Sequence, residues 1–98
     1  MPTREALPQF WHDWTQLNPD QQETFLAAVD KFVDDLRAGR GFRSGLRVKG
    51  VRGTPGAYEL TWALDGRATF AYGRSIVGNE PHIIWRRIGT THEILREP

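Results

Sequence analysis

The sequence contains no cysteine and no long apolar run. Without cysteine, disulfide bonds and thiolate metal sites are excluded, which fits a reducing compartment. No apolar stretch approaches the ~20 residues that a membrane-spanning helix needs. The first ten residues, MPTREALPQF, lack the apolar core of a secretory signal peptide. These absences predict a soluble, cytoplasmic protein with no membrane partner.

Histidine is also scarce, and its positions argue against a metal centre. His12, His82 and His92 do not have the spacing of a metal-ligand set. We therefore expect neither a metal nor any other cofactor.

The length of 98 residues is typical of one domain, since domains commonly run to roughly 100–150 residues. We assign residues 1–98 to a single domain.

The net charge is small, +1, but it is unevenly distributed. Residues 1–38 contain three Lys or Arg against seven Asp or Glu, a net −4, whereas residues 39–98 contain ten against five, a net +5. A basic half indicates an anionic partner, with nucleic acid as the first choice. A solvated surface explains the same excess, so charge alone leaves both interpretations open.

The first third of the chain has helical periodicity. In LPQFWHDWTQL (7–17), Phe10, Trp14 and Leu17 recur at helical spacing. This pattern predicts a first amphipathic helix whose apolar side belongs to the core.

A second helix is predicted from residue 19 to Gly39. Asn18 suits the N-cap, Pro19 suits the first helical position, and Gln21 completes a capping box. Gly39 suits the helix end. The apolar stripe of this helix consists of Phe25, Leu26, Val29, Phe32, Val33 and Leu36.

From residue 41 the apolar period changes from helical to alternating, which is typical of strands. Four segments have this pattern: LRVKGV (46–51), AYELTWAL (57–64), RATFAYG (67–73) and HIIWRRIG (82–89). The predicted fold class is α+β, with two N-terminal helices packed on one face of a four-stranded, mostly antiparallel sheet.

The turn at Asp65 and Gly66 sets the register of the central hairpin. A two-residue loop mixes apolar and polar residues on each face, whereas a three-residue loop that includes Arg67 gives one uniform apolar face. The second register pairs Leu64 with Ala68, Trp62 with Phe70 and Leu60 with Tyr72. The opposite, polar face then displays Glu59, Thr61, Arg67 and Thr69.

Residues 40–52, RGFRSGLRVKGVR, contain five cations and no acid. One interpretation is a strip that binds phosphates, because Lys and Arg displace condensed counterions from nucleic acid. On this interpretation Arg43, Arg47 and Arg52 bind phosphate and Lys49 faces the reacting groups. The alternative is a charged loop and strand edge that prevents aggregation.

The segment WRRIGTTH (85–92) places two arginines before a histidine. Strand alternation sends Arg86 and Arg87 to opposite faces, so only one readily joins the polar face. Gly89 permits a sharp turn, after which His92 can fold back toward the sheet. Arginine supplies a permanent bidentate phosphate clamp, and histidine exchanges a proton near neutral pH.

These groups suit metal-independent RNA cleavage, in which the 2′-OH attacks the adjacent phosphate. The reaction needs a base, an acid and fixed positive charge. Our hypothesis assigns deprotonation to Glu59 or Lys49, stabilisation of the phosphorane to Arg67, and protonation of the leaving oxygen to His92. A surface histidine beside an exposed basic tail is the alternative.

The order of these motifs resembles the RelE/ParE superfamily of bacterial toxin–antitoxin toxins, over about residues 10–95. The resemblance rests on three segments: LRVKGV (46–51), YELTW with DGRATFAY (58–62 and 65–72) and WRRIGTTHEIL (85–95). It implies that Lys49 and Arg67 face an RNA-binding cleft. It also implies that His92 takes part in mRNA cleavage on the ribosome, with a cognate antitoxin as partner.

Two other functions stay open. One is ParE-like inhibition of DNA gyrase, which needs neither the histidine nor the phosphate clamp, and the other is a catalytically inactive antitoxin-binding module. GTTH (89–92) is one residue longer than the usual Gly-Thr-His of the family, and the net charge is lower than is typical of RelE-like nucleases. Both departures favour the alternatives, whereas Arg67 together with His92 favours the nuclease.

Overall fold

The computed structural model describes residues 2–98. Two α-helices, five strands and two short 3₁₀ helices form most of it. In chain order the elements are β1 (Thr3–Ala6), α1 (Pro8–Trp14), α2 (Pro19–Ala38), a 3₁₀ helix (Ser44–Leu46), β2 (Lys49–Gly50), β3 (Tyr58–Thr61), β4 (Arg67–Gly73), β5 (His82–Gly89) and a second 3₁₀ helix (His92–Arg96). Within residues 2–98, no helix is both long enough and apolar enough to cross a membrane.

The second helix begins and ends where local signals predicted. The Asn18 side chain accepts a hydrogen bond from the Gln21 N–H at 2.8 Å, and the Gln21 side chain accepts one from the Asn18 N–H at 2.9 Å, which completes the capping box. Gly39 ends the helix in the left-handed conformation, with φ of 68°. One stripe residue differs from the prediction, because Leu26 is 52% exposed.

The sheet has five strands rather than four and is mixed rather than nearly all antiparallel. Its order is β1-β5-β4-β3-β2, and β1 pairs with β5 in parallel. The sequence of β1, TREA, has two charges and neither a β-branched nor an aromatic alternation, so periodicity did not reveal it. Main-chain pairing with β5 holds this edge strand in place. The partner residues in β5 lie about 79 positions later in the chain.

The basic segment before the hairpin forms less strand than predicted. Residues Ser44–Leu46 form a 3₁₀ turn and Arg47 adopts the left-handed conformation, with φ of 49°. Only Lys49 and Gly50 pair with β3. Leu46 and Val51 are nevertheless buried, so the apolar positions were identified correctly although their backbone conformation was not.

The central hairpin has a three-residue loop, as predicted, but the loop lies two residues earlier. The Trp62 N–H donates to the Gly66 carbonyl at 3.1 Å, which leaves residues 63–65 as the loop. Leu60 therefore pairs with Ala68, and Leu64 is fully exposed. The Trp62 indole explains the choice, because it covers Gly66 so closely that a Cβ there would lie 2.7 Å from the ring.

The predicted division of the hairpin into an apolar and a polar face is still correct, because the register is displaced by an even number of residues.

The core between the helices and the sheet is rich in aromatic rings. Phe32 of α2 is fully buried against Phe70 of β4, with ring centroids 5.0 Å apart. Phe25 packs edge-on against Trp85 of β5 at 5.4 Å. These contacts commit one face of the sheet to the helices and leave the other for polar groups.

Candidate functional site

Directly opposite residues on four strands form a row across the second face of the sheet. The row runs Lys49, Glu59, Thr69 and Arg87, each paired with the next. The neighbouring row contains Thr61, Arg67 and Gly89. Paired residues project to the same side of a sheet. We call this side the polar face, and it brings together Lys49, Glu59 and Arg67 from three different strands.

The centre of the polar face is not open to solvent. Glu59 is 7% exposed and Thr69 is fully buried. The nearest cation to the Glu59 carboxylate is Arg67, whose Nε lies 3.9 Å from Oε1, and Arg67 Nη1 also donates to the Gly66 carbonyl at 3.1 Å. Arg67 is thus oriented by the end of the hairpin loop and remains half-buried beside the carboxylate.

His92 begins the C-terminal segment, which we define as residues 92–98. Its Nδ1 lies 3.1 Å from Asp65 Oδ1, and its side chain is 69% exposed. Asp65 precedes Arg67 by two residues, and Gly89, which pairs with Arg67, precedes His92 by three. His92 and Arg67 therefore lie at the same end of the β4–β5 pair.

The C-terminal segment runs back along β5 on the polar side. A Cβ placed on Gly89 would lie 2.6 Å from Ile94 Cγ2, so Ile94 sits directly over Gly89. Further along, Arg87 Nη1 donates to the Glu97 carbonyl at 3.0 Å, and Arg86 Nη2 donates to the Pro98 carbonyl at 3.0 Å. The segment thus covers part of the face that the helices leave free.

Strict alternation does not hold at Arg86 and Arg87. The pairing of β4 with β5 shifts between Thr69 and Phe70, so Arg86 is an extra residue opposite β4. Such a bulge redirects side chains. Both guanidinium groups reach adjacent main-chain oxygens of the C-terminal segment, so they lie close together rather than on opposite faces.

Asp13 is a buried partner of Arg87 that the sequence analysis did not identify. Its carboxylate accepts hydrogen bonds from Arg87 Nε at 2.7 Å and from the Ile88 N–H at 3.1 Å. Strand β1 pairs with β5 only as far as Trp85, so Asp13 of α1 satisfies a strand edge that has no neighbouring strand. One signal was present in the sequence: Asp13 lies three residues after Phe10, on the apolar side of the helix.

The protonation of this pair follows from its contacts. Burial favours the neutral acid, but hydrogen bonds from Arg87, Gln9 and the Ile88 N–H, with the Arg87 charge, outweigh it and lower the pKa of Asp13. The hydrogen bond to Asp13 in turn raises the pKa of Arg87. Both groups stay charged at neutral pH, and Arg87 is engaged inside the protein.

The three arginines of the basic segment that were assigned to phosphate binding are not gathered on the polar face. Arg43 forms a bidentate pair with Asp35 of α2, at 2.9 Å and 2.8 Å. Its hydrogen bonds lower the pKa of Asp35 to about 2. Arg47 and Arg52 are exposed in the loops on either side of β2. The other predicted phosphate-binding arginines form hydrogen bonds or ion pairs with the protein. Within residues 2–98, Arg47 and Arg52 form neither, and their side chains are exposed.

Asp65 is a second site residue that sequence reasoning assigned only to a turn. It becomes a site residue because the hairpin loop brings its carboxylate to His92. Among residues 2–98, no group of three or more His, Asp or Glu side chains is arranged to hold a metal ion.

Sequence comparison and structural comparison give different results. No protein-family model and no curated protein matches the sequence. The structure is similar to YafQ in the Escherichia coli DinJ–YafQ complex, with a TM-score of 0.64, 12% identity, and coverage of 97% of this chain and 98% of YafQ. It is similar to a copper-bound mutant toxin from Helicobacter pylori, with a TM-score of 0.63, 12% identity, and coverage of 96% and 99%.

A third similar structure is the YoeB/ParE toxin from Agrobacterium tumefaciens, with a TM-score of 0.61, 11% identity, and coverage of 88% of this chain and 94% of that toxin. At these identities the similarity establishes the fold and not the activity. The chain therefore has the same fold as these three structures, which is the fold that its sequence motifs indicated.

Proposed function

We propose that this protein is the toxin of a toxin–antitoxin pair and that it cleaves mRNA on the ribosome, in the cytoplasm. The observation that carries the proposal is the arrangement of charged groups on the polar face and at its edge. Lys49, Glu59 and Arg67 share the polar face, and His92 lies at the same end of the β4–β5 pair as Arg67. A base, a fixed cation and a proton donor are the groups that RNA transesterification needs.

The proposed reaction uses the RNA 2′-OH as the nucleophile. Its oxygen forms a bond to the adjacent phosphorus while the bond from phosphorus to the 5′-oxygen breaks. The 2′ proton passes to the Glu59 carboxylate or, in the alternative assignment, to the Lys49 amine. The 5′-oxygen takes a proton from His92, and the products are a 2′,3′-cyclic phosphate and a 5′-hydroxyl.

Arg67 supplies the positive charge where the phosphorane develops. Its guanidinium is held by the Gly66 carbonyl and stands 3.9 Å from Glu59. A cation that is already oriented does not have to reorganise in the transition state. Arg47 and Arg52, exposed in the loops beside β2, are assigned to more distant phosphates.

The proposed partner is a cognate antitoxin. The support is that the similar YafQ structure was determined as a DinJ–YafQ complex, described as toxin–antitoxin. Two further structures with this fold are named as toxins. A toxin needs a partner that neutralises it, which supports an antitoxin as the partner of this protein.

Ribosome-dependent cleavage tests this proposal. Arg67→Ala is expected to reduce the rate by about 10²–10³-fold, and His92→Gln by about 10²–10⁴-fold. Arg74→Ala is the matched control, since Arg74 follows the far end of β4 and is exposed. Cleavage at the wild-type rate by both site variants would rule out the assigned roles.

A ParE-like gyrase inhibitor is the second candidate. One observation favours it: Arg43, Arg86 and Arg87 form hydrogen bonds within the protein rather than being free to bind phosphate. Expression without an antitoxin separates the candidates. Rapid arrest of translation indicates the nuclease, and DNA damage signalling without arrest of translation indicates the gyrase inhibitor.

A further inference from the structure

Asp65 and His92 come from two segments that meet only in the folded protein. Asp65 lies in the hairpin loop between β3 and β4, and His92 opens the 3₁₀ helix after β5. Their side chains approach to 3.1 Å, between Oδ1 and Nδ1. At 48% and 69% exposed, both side chains remain accessible from solvent.

Each partner is positioned by its own local structure. The hairpin that carries Asp65 is closed by the hydrogen bond from the Trp62 N–H to the Gly66 carbonyl. The Trp62 ring lies against Gly66, so the loop cannot shift along β4 without displacing a buried indole. The helix that begins with His92 is capped by the Thr91 hydroxyl, which accepts from the Glu93 N–H at 3.3 Å.

The geometry also distinguishes the two ring nitrogens of His92. A carboxylate accepts hydrogen bonds, so the Asp65 contact requires a proton on Nδ1. The partner of one ring nitrogen sets the tautomer of a neutral imidazole. In the neutral ring Nε2 is then the unprotonated nitrogen.

We infer that Asp65 is a positioning residue for His92, holding the proton on Nδ1 so that Nε2 exchanges a proton with the substrate. The chemical consequence of this inference rests on the proposed nuclease function. Asp65 touches His92 and not the reacting atoms, so its effect is indirect.

The proton balance explains why a carboxylate at Nδ1 helps. As the proton donor the ring is an imidazolium with protons on both nitrogens, and its Nδ1 proton faces the Asp65 carboxylate. The Nε2 proton then passes to the leaving 5′-oxygen, and the neutral ring keeps its Nδ1 proton. This is the tautomer that the Asp65 carboxylate already binds, so no rearrangement accompanies the transfer.

Nitrogen-15 NMR of the purified full-length chain tests the inference without any substrate. His92→Gln identifies the His92 signals against those of His12 and His82. In the neutral ring the wild-type protein is expected to show protonated Nδ1. Asp65→Ala is expected to move the population toward protonated Nε2, and Asp65→Asn, which keeps an amide oxygen as acceptor, is expected to lie between them.

Ribosome-dependent cleavage supplies the second measurement. Asp65→Ala is expected to lower kcat on the order of 10-fold with little change in KM, a smaller loss than removal of the proton donor itself. Asp65→Asn should restore part of this loss. Asp34→Ala, which removes an exposed carboxylate from α2, is the matched control and should leave both kcat and the His92 spectrum unchanged.

The two measurements separate this inference from the proposed function. A His92 spectrum that is the same in wild type and Asp65→Ala overturns the inference, whatever the cleavage rate. A spectrum that changes as expected in a protein that cleaves no RNA supports the positioning contact and rejects the nuclease. A changed spectrum with an unchanged kcat overturns the inference that positioning of His92 by Asp65 contributes to cleavage.

Discussion

The two faces of the sheet are stabilised by different kinds of interaction. The helix-covered face is closed by aromatic rings, with Phe32 and Phe70 fully buried. The polar face is covered in part by the C-terminal segment, which is attached through hydrogen bonds from Arg86 and Arg87. Burial of apolar area is non-directional, whereas these hydrogen bonds need particular partners. The first face therefore follows from composition and period, and the second depends on exact placement.

The largest loss of stability is expected for a substitution on the helix-covered face. Phe32→Ala removes a ring that stacks on Phe42 and packs against Phe70 and Trp85. The lost burial and the cavity are expected to lower the free energy of unfolding by about 3–5 kcal/mol. Urea unfolding measures this value.

Leu26→Ala on the same helix is the matched control for Phe32→Ala. Leu26 is 52% exposed, so its truncation is expected to change the free energy of unfolding by about 0.5 kcal/mol or less. Equal losses in the two variants would contradict the assignment of the core.

The next largest loss of stability is expected at the edge of β5, where Arg87 of the sheet meets Asp13 of α1. Arg87→Ala leaves the Asp13 carboxylate buried beside the Ile88 N–H without its cation. The expected loss in the free energy of unfolding is about 2–3 kcal/mol, because an unpaired buried charge is costly. Urea unfolding again measures it.

Arg86→Ala serves as the comparison for Arg87→Ala. Arg86 bonds a main-chain oxygen of Pro98 and no Asp or Glu side chain within residues 2–98, so its removal should cost less. An Arg86→Ala loss as large as that of Arg87→Ala would show that the C-terminal segment, and not Asp13, accounts for the stability.

A smaller effect is expected on the polar face itself. Gly89→Ala places a Cβ 2.6 Å from Ile94 Cγ2 and should displace the C-terminal segment, at about 1–2 kcal/mol. Hydrogen exchange is expected to accelerate at the Glu97 N–H, which bonds the Ile94 carbonyl, and to stay slow at Phe70. Gly50→Ala, where a Cβ meets no atom within 4 Å, is the control. Unchanged exchange at Glu97 would show that the segment is held elsewhere.

The smallest effect belongs to the exposed pair of Arg43 and Asp35. Hydrogen bonds from Arg43 lower the pKa of Asp35 to about 2, below the value of about 3.9 expected in the unfolded chain. The contribution of this pair is therefore fully present above about pH 4 and is lost as the pH falls through about 2. Thermal unfolding should show a small Tm difference between wild type and Arg43→Ala at pH 7 that is much smaller at pH 2. A difference that persists in acid would contradict this origin.

Local signals predicted the elements that have local causes. The capping box of Asn18 and Gln21 and the final Gly39 set the ends of α2, since all of their contacts fall within a few residues. The division of β3 and β4 into faces was also correct, because strand alternation survives an even displacement of register. The displacement itself was not predictable by period, since it follows from the Trp62 ring that lies over Gly66.

Several of the features that were missed depend on distant partners. Strand β1 exists by pairing with β5, and the bulge at Arg86 exists only in the register of β5 against β4. Asp13 carried a visible signal, a carboxylate on an apolar helix side, but its role required the free edge of β5. The candidate site was predicted in part: Lys49, Glu59 and Arg67 share a face as expected, whereas the Asp65 contact to His92 was not foreseen.

The sequence by itself determined the two helices, the hairpin and the separation of an apolar from a polar face, because periodicity and capping act over short stretches of chain. Only the tertiary structure decided which charges meet. It placed Asp13 against Arg87, Asp35 against Arg43 and Asp65 against His92. A directional bond depends on where two separate backbones lie to within a fraction of an ångström, and local patterns such as periodicity and capping do not specify that placement.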